Sequence, residues 1–157
     1  MSKRFFAILS VVSVALLSAC SSTKLDNVSD AKSSVASVVA DHLNPNSAIS
    51  KERSVYFDFD KFDIKANQTA VVERQGKYLA ANGALKVRVE GNADERGGRE
   101  YNLALGQKRA EAVRQALTLL GVSDAQIEAV SYGKEKPAST GSSDADYAKN
   151  RRVEIRY

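Results

Sequence analysis

One cysteine, one histidine, two prolines and no tryptophan are all that this 157-residue chain has of those residue types. A lone cysteine leaves no internal disulfide to hold the fold. A lone histidine gives little scope for a metal centre or a histidine-based catalytic triad. Nine glycines and two prolines are too few for a collagen-like or wholly disordered chain. Long apolar runs are scarce as well: Phe5 to Leu17, broken by Ser10 and Ser13, is short for a membrane span, so a polytopic membrane protein is a poor reading. Charge of one sign never gathers into a block. The formal net charge of +4 is scattered, and no nucleic-acid partner is expected from it. What is present is a composition ordinary for a soluble domain, 43% hydrophobic and 27% charged, and the length of one domain.

Residues 1–19 read as a secretory signal peptide, with Lys3 and Arg4 before the short apolar stretch. The tetrapeptide Leu17-Ser18-Ala19-Cys20 resembles the lipobox of bacterial lipoproteins. That resemblance implies that Cys20 becomes the acylated mature N-terminus. A single acyl chain holds a protein to a membrane only weakly, whereas the three chains of such lipoproteins make release negligible. Cleavage leaves 21 basic against 19 acidic residues, so membrane electrostatics are not the anchor. Ser21 stands where an aspartate favours inner-membrane retention. The expected location is therefore the outer membrane, with the folded part facing the periplasm.

Residues 20–52 are rich in Ser, Ala, Asn and Asp, contain no aromatic residue and read as a flexible linker after the lipidated N-terminus. Thirty such residues span roughly 30 Å on average and about 100 Å when taut. Val35, Val38, Val39 and Leu43 have helical spacing that Asn44-Pro45-Asn46 would end, and His42 is expected to be solvated. A folded domain is expected over 53–157. Val55, Phe57 and Phe59 alternate as a strand, Ile64 to Ala81 reads as a helix stopped by Asn82-Gly83, and Leu85, Val87 and Val89 alternate as a second strand. Gly91 to Gly98 reads as a polar loop, and Tyr101 to Leu120 as the strongest helix, closed by Gly121. Ile127 to Tyr132 and Val153 to Tyr157 complete the set. The order β-α-β-α-β-β predicts a single α+β domain, one mixed sheet with helices packed on it.

The long helix holds the informative residue. At 100° per residue, Leu103, Ala110, Val113, Leu117 and Leu120 share an apolar sector, and Arg109 and Asn102 fall inside it, about two turns apart. A guanidinium at the edge of a core needs a carboxylate or carbonyls, or must snorkel out, because desolvation costs several kcal/mol. Asp94 and Glu95 lie in the preceding loop. An internal Asp94–Arg109 ion pair would satisfy Arg109. So would a polar cleft in which Arg109 takes a guest's carboxylate and Asp94 its ammonium. Spacing does not choose between them.

Four segments taken together resemble the OmpA-like domain family. They are Val55-Tyr56-Phe57-Asp58-Phe59-Asp60-Lys61, Glu90-Gly91-Asn92-Ala93-Asp94-Glu95-Arg96-Gly97, Tyr101 to Ala110 and Ser131 to Pro137, with Asn150-Arg151-Arg152 following. With the lipobox, the likeness is to the peptidoglycan-associated lipoproteins of the Tol-Pal system within that family. The resemblance implies non-covalent binding of peptidoglycan through the meso-diaminopimelate of its stem peptide. It also implies a role in envelope integrity and cell division, with TolB and other Tol and outer-membrane proteins as partners and no cofactor. By motif match Asp94 and Arg109 hold the charged groups of the diamino acid, Phe59 and Asp60 border the pocket at the end of the first strand, and Asn92, Asn102 and Leu105 complete it. Each has a plainer alternative: Phe59 and Leu105 as core, Asn92 as a turn former, Asn102 as a first-turn helix contact. Two departures from the family pattern stand out. Ala93 stands where a threonine is common, and Ser142-Ser143 replace a His-acid pair.

An enzyme acting on the wall is the competing class. Asp94 and Glu95 are adjacent loop residues and do not by spacing flank a scissile bond. Cys20 is expected to be acylated and His42 sits in the linker, so neither supplies a nucleophile or its base. The expected function is a non-catalytic clamp. A third reading, a purely structural lipoprotein in which Arg109 only pairs with Asp94, predicts no wall binding.

Overall fold

The structure is a computed structural model and describes residues 39–157. The signal peptide, Cys20 and the valines at 35 and 38 lie outside the described residues. Eight elements follow in chain order: α1 (Ala48–Lys51), β1 (Ser54–Tyr56), α2 (Thr69–Ala81), β2 (Val87–Asn92), α3 (Arg99–Leu119), β3 (Ile127–Gly133), α4 (Asp144–Asn150) and β4 (Arg152–Arg156). The strands form one mixed sheet in the order β1-β4-β2-β3. β4 lies antiparallel to both β1 and β2, and β2 lies parallel to β3, with α3 as the crossover between them. The expected α+β architecture is the observed one.

Alternation along the strands sorts the two faces. Val55, Val87, Val89, Val153 and Ile155 are buried and meet Val72 and Leu79 of α2 and Ala110, Val113 and Leu117 of α3. The other face carries charge. Arg88 and Arg156 sit directly opposite each other, as do Glu90 and Glu154. That like-charge pairing is relieved by neighbours, since Arg88 bonds Glu128 at 3.0 Å and Arg156 bonds Glu154 at 2.7 Å.

The close approach of α3 to β2 sets the geometry of everything beyond it. A Cβ on Gly91 would stand 1.9 Å from the Gly106 carbonyl oxygen, so only glycine lets this strand and helix touch backbone to backbone. α3 ends as its sequence predicts: Gly121, at φ 92°, donates to Thr118, and Val122 donates to Leu117, which satisfies two terminal carbonyls.

Several sequence expectations need correction. β1 stops at Tyr56, because its partner β4 begins at Arg152 and offers no further ladder beyond the single Phe57–Arg151 bond of 2.9 Å. Phe59 therefore lies in the following turn and is 57% exposed. The second strand runs on through Gly91 and Asn92, which were expected in the loop. The helix expected from Ile64 begins as a 3₁₀ turn at Ala66 and becomes α-helical at Thr69. On α3, Leu103 is exposed and Leu105 and Gly106 are buried in its place. The end of the expected linker is not free chain: α1 buries Ile49, and His42 bonds the Tyr78 hydroxyl at 2.8 Å and stacks on Tyr157 at 5.1 Å. Ser143, one of the two serines that depart from the family pattern, caps α4 and forms a reciprocal capping box with Asp146.

Candidate functional site

Arg109 is fully buried on α3, and its partners are carbonyls. Its Nε donates to Lys61 O at 2.8 Å, Nη1 to Asn92 O at 2.8 Å and Nη2 to Asp58 O at 3.0 Å. The Phe57 ring lies 5.3 Å from the guanidinium carbon. Two of these carbonyls belong to the turn after β1 and one to the end of β2, so Arg109 ties three distant segments together. The turn can aim its carbonyls inward because Asp60 adopts φ 56°, the left-handed conformation that aspartate tolerates better than most residues. Burial and the neighbouring Arg151 push the Arg109 pKa down to about 10, which leaves it charged at neutral pH. A guanidinium has five N–H groups. Three are engaged here, and one remains on each terminal nitrogen.

No ion pair joins Asp94 to Arg109 among the described residues, which removes the first of the two sequence alternatives. Asp94 is 4% exposed and is held by two other arginines. Arg96 grips it with Nε at 3.2 Å and Nη2 at 2.6 Å, its backbone N–H adds a bond of 3.2 Å, and Arg151 Nη1 reaches it at 3.2 Å. Burial works to raise the Asp94 pKa, but the bonds from Arg96 and Arg151 outweigh it and hold the carboxyl below its ordinary range. Arg96 itself lies between two rings, 4.1 Å from the Phe59 centroid and 4.5 Å from that of Tyr147.

A cavity of about 240 Å³ opens between these groups. It is lined by six of the seven residues nominated from sequence: Phe59, Asp60, Asp94, Asn102, Leu105 and Arg109. Asn92 is not on its wall. Asn92 is buried beneath it, donates from Nδ2 to Glu90 O at 3.0 Å, and contributes its backbone carbonyl to Arg109. Asn102 has a second task, since its Nδ2 holds Arg96 O at 2.9 Å and fixes the loop between β2 and α3. Lys134 secures the same loop through the Glu95 and Gly97 carbonyls at 3.2 and 2.9 Å. Residues that sequence reasoning did not nominate also line the cavity: Ala93, Arg96, Gly97, Tyr101 and Arg151. The Tyr101 hydroxyl donates to the Asp60 carboxylate across the rim. All five lay in the quoted family segments, but nothing in their spacing marks them as pocket residues.

This wall places acids and bases within one concave surface, an arrangement suited to a small guest bearing both charges. Comparison with known proteins agrees with the architecture. Residues 56–151 match the OmpA family. The chain belongs to the OmpA family. It is 42% identical to a peptidoglycan-associated lipoprotein of Haemophilus influenzae over 157 residues, covering 100% of both chains. It is also 42% identical to that of Pasteurella multocida over 145 residues, 92% of each. Among solved structures, the peptidoglycan-associated lipoprotein from Burkholderia pseudomallei superposes with a TM-score of 0.71 at 52% identity, covering 74% of this chain and 98% of that one.

Proposed function

We propose that this OmpA-family chain is an outer-membrane lipoprotein that binds peptidoglycan non-covalently through the diaminopimelate of the stem peptide, and so ties the outer membrane to the wall. The observation that carries this reading is Arg109: fully buried, fixed by three carbonyls that leave one N–H unengaged on each terminal nitrogen, and lining a cavity that Asp60 and Asp94 also line. A diamino acid with ammonium and carboxylate groups at the same end matches that pairing of charges. The names of the relatives favour the wall as the ligand. Cys20 supplies the membrane end and residues 21–38 the spacer before the packed segment at 39–53.

The role is binding rather than catalysis. The cavity's acids are engaged: Asp94 by arginines and Asp60 by Tyr101. TolB is the proposed protein partner within a Tol-Pal system. The exposed Phe59 and the turn around it offer a surface at the mouth of the pocket, so TolB and wall binding compete. Simultaneous binding of both at full affinity would refute that competition.

The test is a titration of the mature chain carrying Cys20→Ser with a diaminopimelate-containing stem peptide, followed by amide NMR, with a lysine-containing peptide as control. Saturable shifts at Asp60, Asp94 and Arg109 with the first peptide alone are expected. Absence of shifts with either overturns the reading. Release of soluble muropeptides from purified wall would instead reveal an enzyme.

A further inference from the structure

The Asp94 carboxylate has room for about four hydrogen bonds, and in this structure it receives four. Oδ1 takes the backbone N–H and Nε of Arg96, and Oδ2 takes Nη2 of Arg96 and Nη1 of Arg151. An incoming ammonium can bond Asp94 only by displacing one of these donors. The two arginines are not equally displaceable. Arg151 has a side chain 14% exposed and is also anchored to Phe57 O at 3.1 Å. The Arg96 side chain is 38% exposed, and besides Asp94 only the rings of Phe59 and Tyr147 hold its head group.

We infer that Arg96 is a built-in competitor for the ammonium site. Its guanidinium occupies Asp94 in the empty protein, and a diamino ligand binds by swinging it outward. This rests on the proposed function, and it makes Arg96 a residue that sets affinity without belonging to the ligand's own contacts. Two features make the exchange feasible. The loop does not depend on the Arg96 side chain, because the Arg96 N–H to Asp94 and the Asn102 bond to Arg96 O use its backbone. Tyr147 lies outside the cavity wall, so its ring steadies the closed position without touching a ligand. The charge logic is conservative: one cation leaves the carboxylate as another arrives, and the buried acid is never left bare.

A site closed by an internal group loses apparent affinity in proportion to the fraction of time it is closed. Arg96→Ala should therefore bind a diaminopimelate-containing stem peptide about three- to tenfold more tightly than the unsubstituted protein. Tyr147→Leu, which loosens Arg96 and leaves Asp94 untouched, should bind about twofold more tightly. The same peptide acetylated on its side-chain amine presents no ammonium, and neither substitution should improve its binding. Isothermal titration calorimetry on the mature Cys20→Ser chain reads all three, with thermal unfolding to confirm that each variant is folded. Unchanged or weaker binding by both folded variants, with the unsubstituted protein still binding, overturns the inference and leaves the proposed function standing. Tighter binding of the acetylated peptide would likewise overturn it, because the gain would not involve the ammonium. If the unsubstituted protein is silent and both variants bind the free-amine peptide, the competitor is strong and both readings hold. If none of the three proteins binds, both fall.

Discussion

Replacing Arg109 by methionine keeps most of the side-chain volume and removes every donor. Three carbonyls, the buried one of Asn92 and the part-buried ones of Asp58 and Lys61, then lose their partner at once. Each orphaned acceptor costs about 1–3 kcal/mol. Part of that is offset because a guanidinium no longer has to be desolvated, so the net loss should fall at about 3–5 kcal/mol, as for other broken buried ionic arrangements. A domain of this size is stable by about 5–15 kcal/mol, so the variant should fold with a much reduced margin. With a urea m-value of about 1.5 kcal/mol/M, the midpoint should drop by about 2–3 M at unchanged slope. The chain has no tryptophan, so far-ultraviolet circular dichroism is the appropriate probe. Arg109→Lys keeps the charge but loses the planar fork that reaches all three carbonyls, and should lose about half as much. A loss below about 1 kcal/mol for Arg109→Met would refute the reasoning, since it would mean that water satisfies these carbonyls and the guanidinium clamps nothing. Because the same residue is proposed to hold the ligand, stability and binding should fail together.

Gly91→Ala should cost at least about 3 kcal/mol, because its Cβ would lie 1.9 Å from a helix carbonyl oxygen that cannot move aside, whereas Gly83→Ala, with nothing within 4 Å, should stay within about 0.5 kcal/mol; chemical unfolding compares the two. The Asp94 carboxyl is held below its ordinary value of 3.8 and that of Asp146 is lowered to about 2 by the Ser139 and Ser143 hydroxyls, so their contribution to stability is present above about pH 4 and is lost as pH falls through the folded values. Unfolding series between neutral pH and about pH 2 should show that fall, flattened in Asp94→Asn, and an unaltered profile in the variant would contradict the assignment. His42→Ala removes the bond to Tyr78 and the stack on Tyr157, and should expose the segment around 39–47 to proteases while leaving stem-peptide affinity unchanged. A stem peptide whose side-chain carboxylate is amidated should bind about ten- to a hundredfold more weakly, the value of one charge-assisted hydrogen bond to Arg109; equal affinity would place the carboxylate elsewhere.

Much of the fold could be read because burial on one face writes itself into the sequence. Val87 and Val89 against Arg88 and Glu90, and Gly121 after the long helix, dictate their elements almost alone. The failures are also physical. Val55, Phe57 and Phe59 continue a perfect alternation, yet a strand needs a ladder partner as well as a pattern, and β4 has no residue left to pair beyond Arg151. α4 is seven residues with only Asn150 buried, so it has no apolar stripe, although the Ser143…Asp146 capping signal was there. At the site, an arginine on the apolar sector of α3 was visible as an anomaly. Its partners were not, because backbone carbonyls have no residue type and any turn could have supplied them. Arg96 and Arg151 were hidden for the opposite reason: arginines in loops are common, and only folding brings these two onto one carboxylate.

The two arginines that most define the cavity divide its work by how they are held. Arg109 is fixed from three directions by groups that folding has already put in place, so a ligand meets donors whose orientation entropy was lost when the protein folded rather than when it binds. Arg96 is held by one carboxylate and two rings at the surface, and can leave. The proposed recognition of a zwitterionic group by this site is accordingly asymmetric. Under the proposed function, the carboxylate is read by a rigid element that is costly to alter, and the ammonium by the proposed exchange of one cation for another. Changes at Arg109 must disturb the fold through three carbonyls at once, whereas a change at Arg96 leaves Asp94 its bond from Arg151, so the proposed wall binding is most readily tuned at Arg96 with a smaller loss of stability.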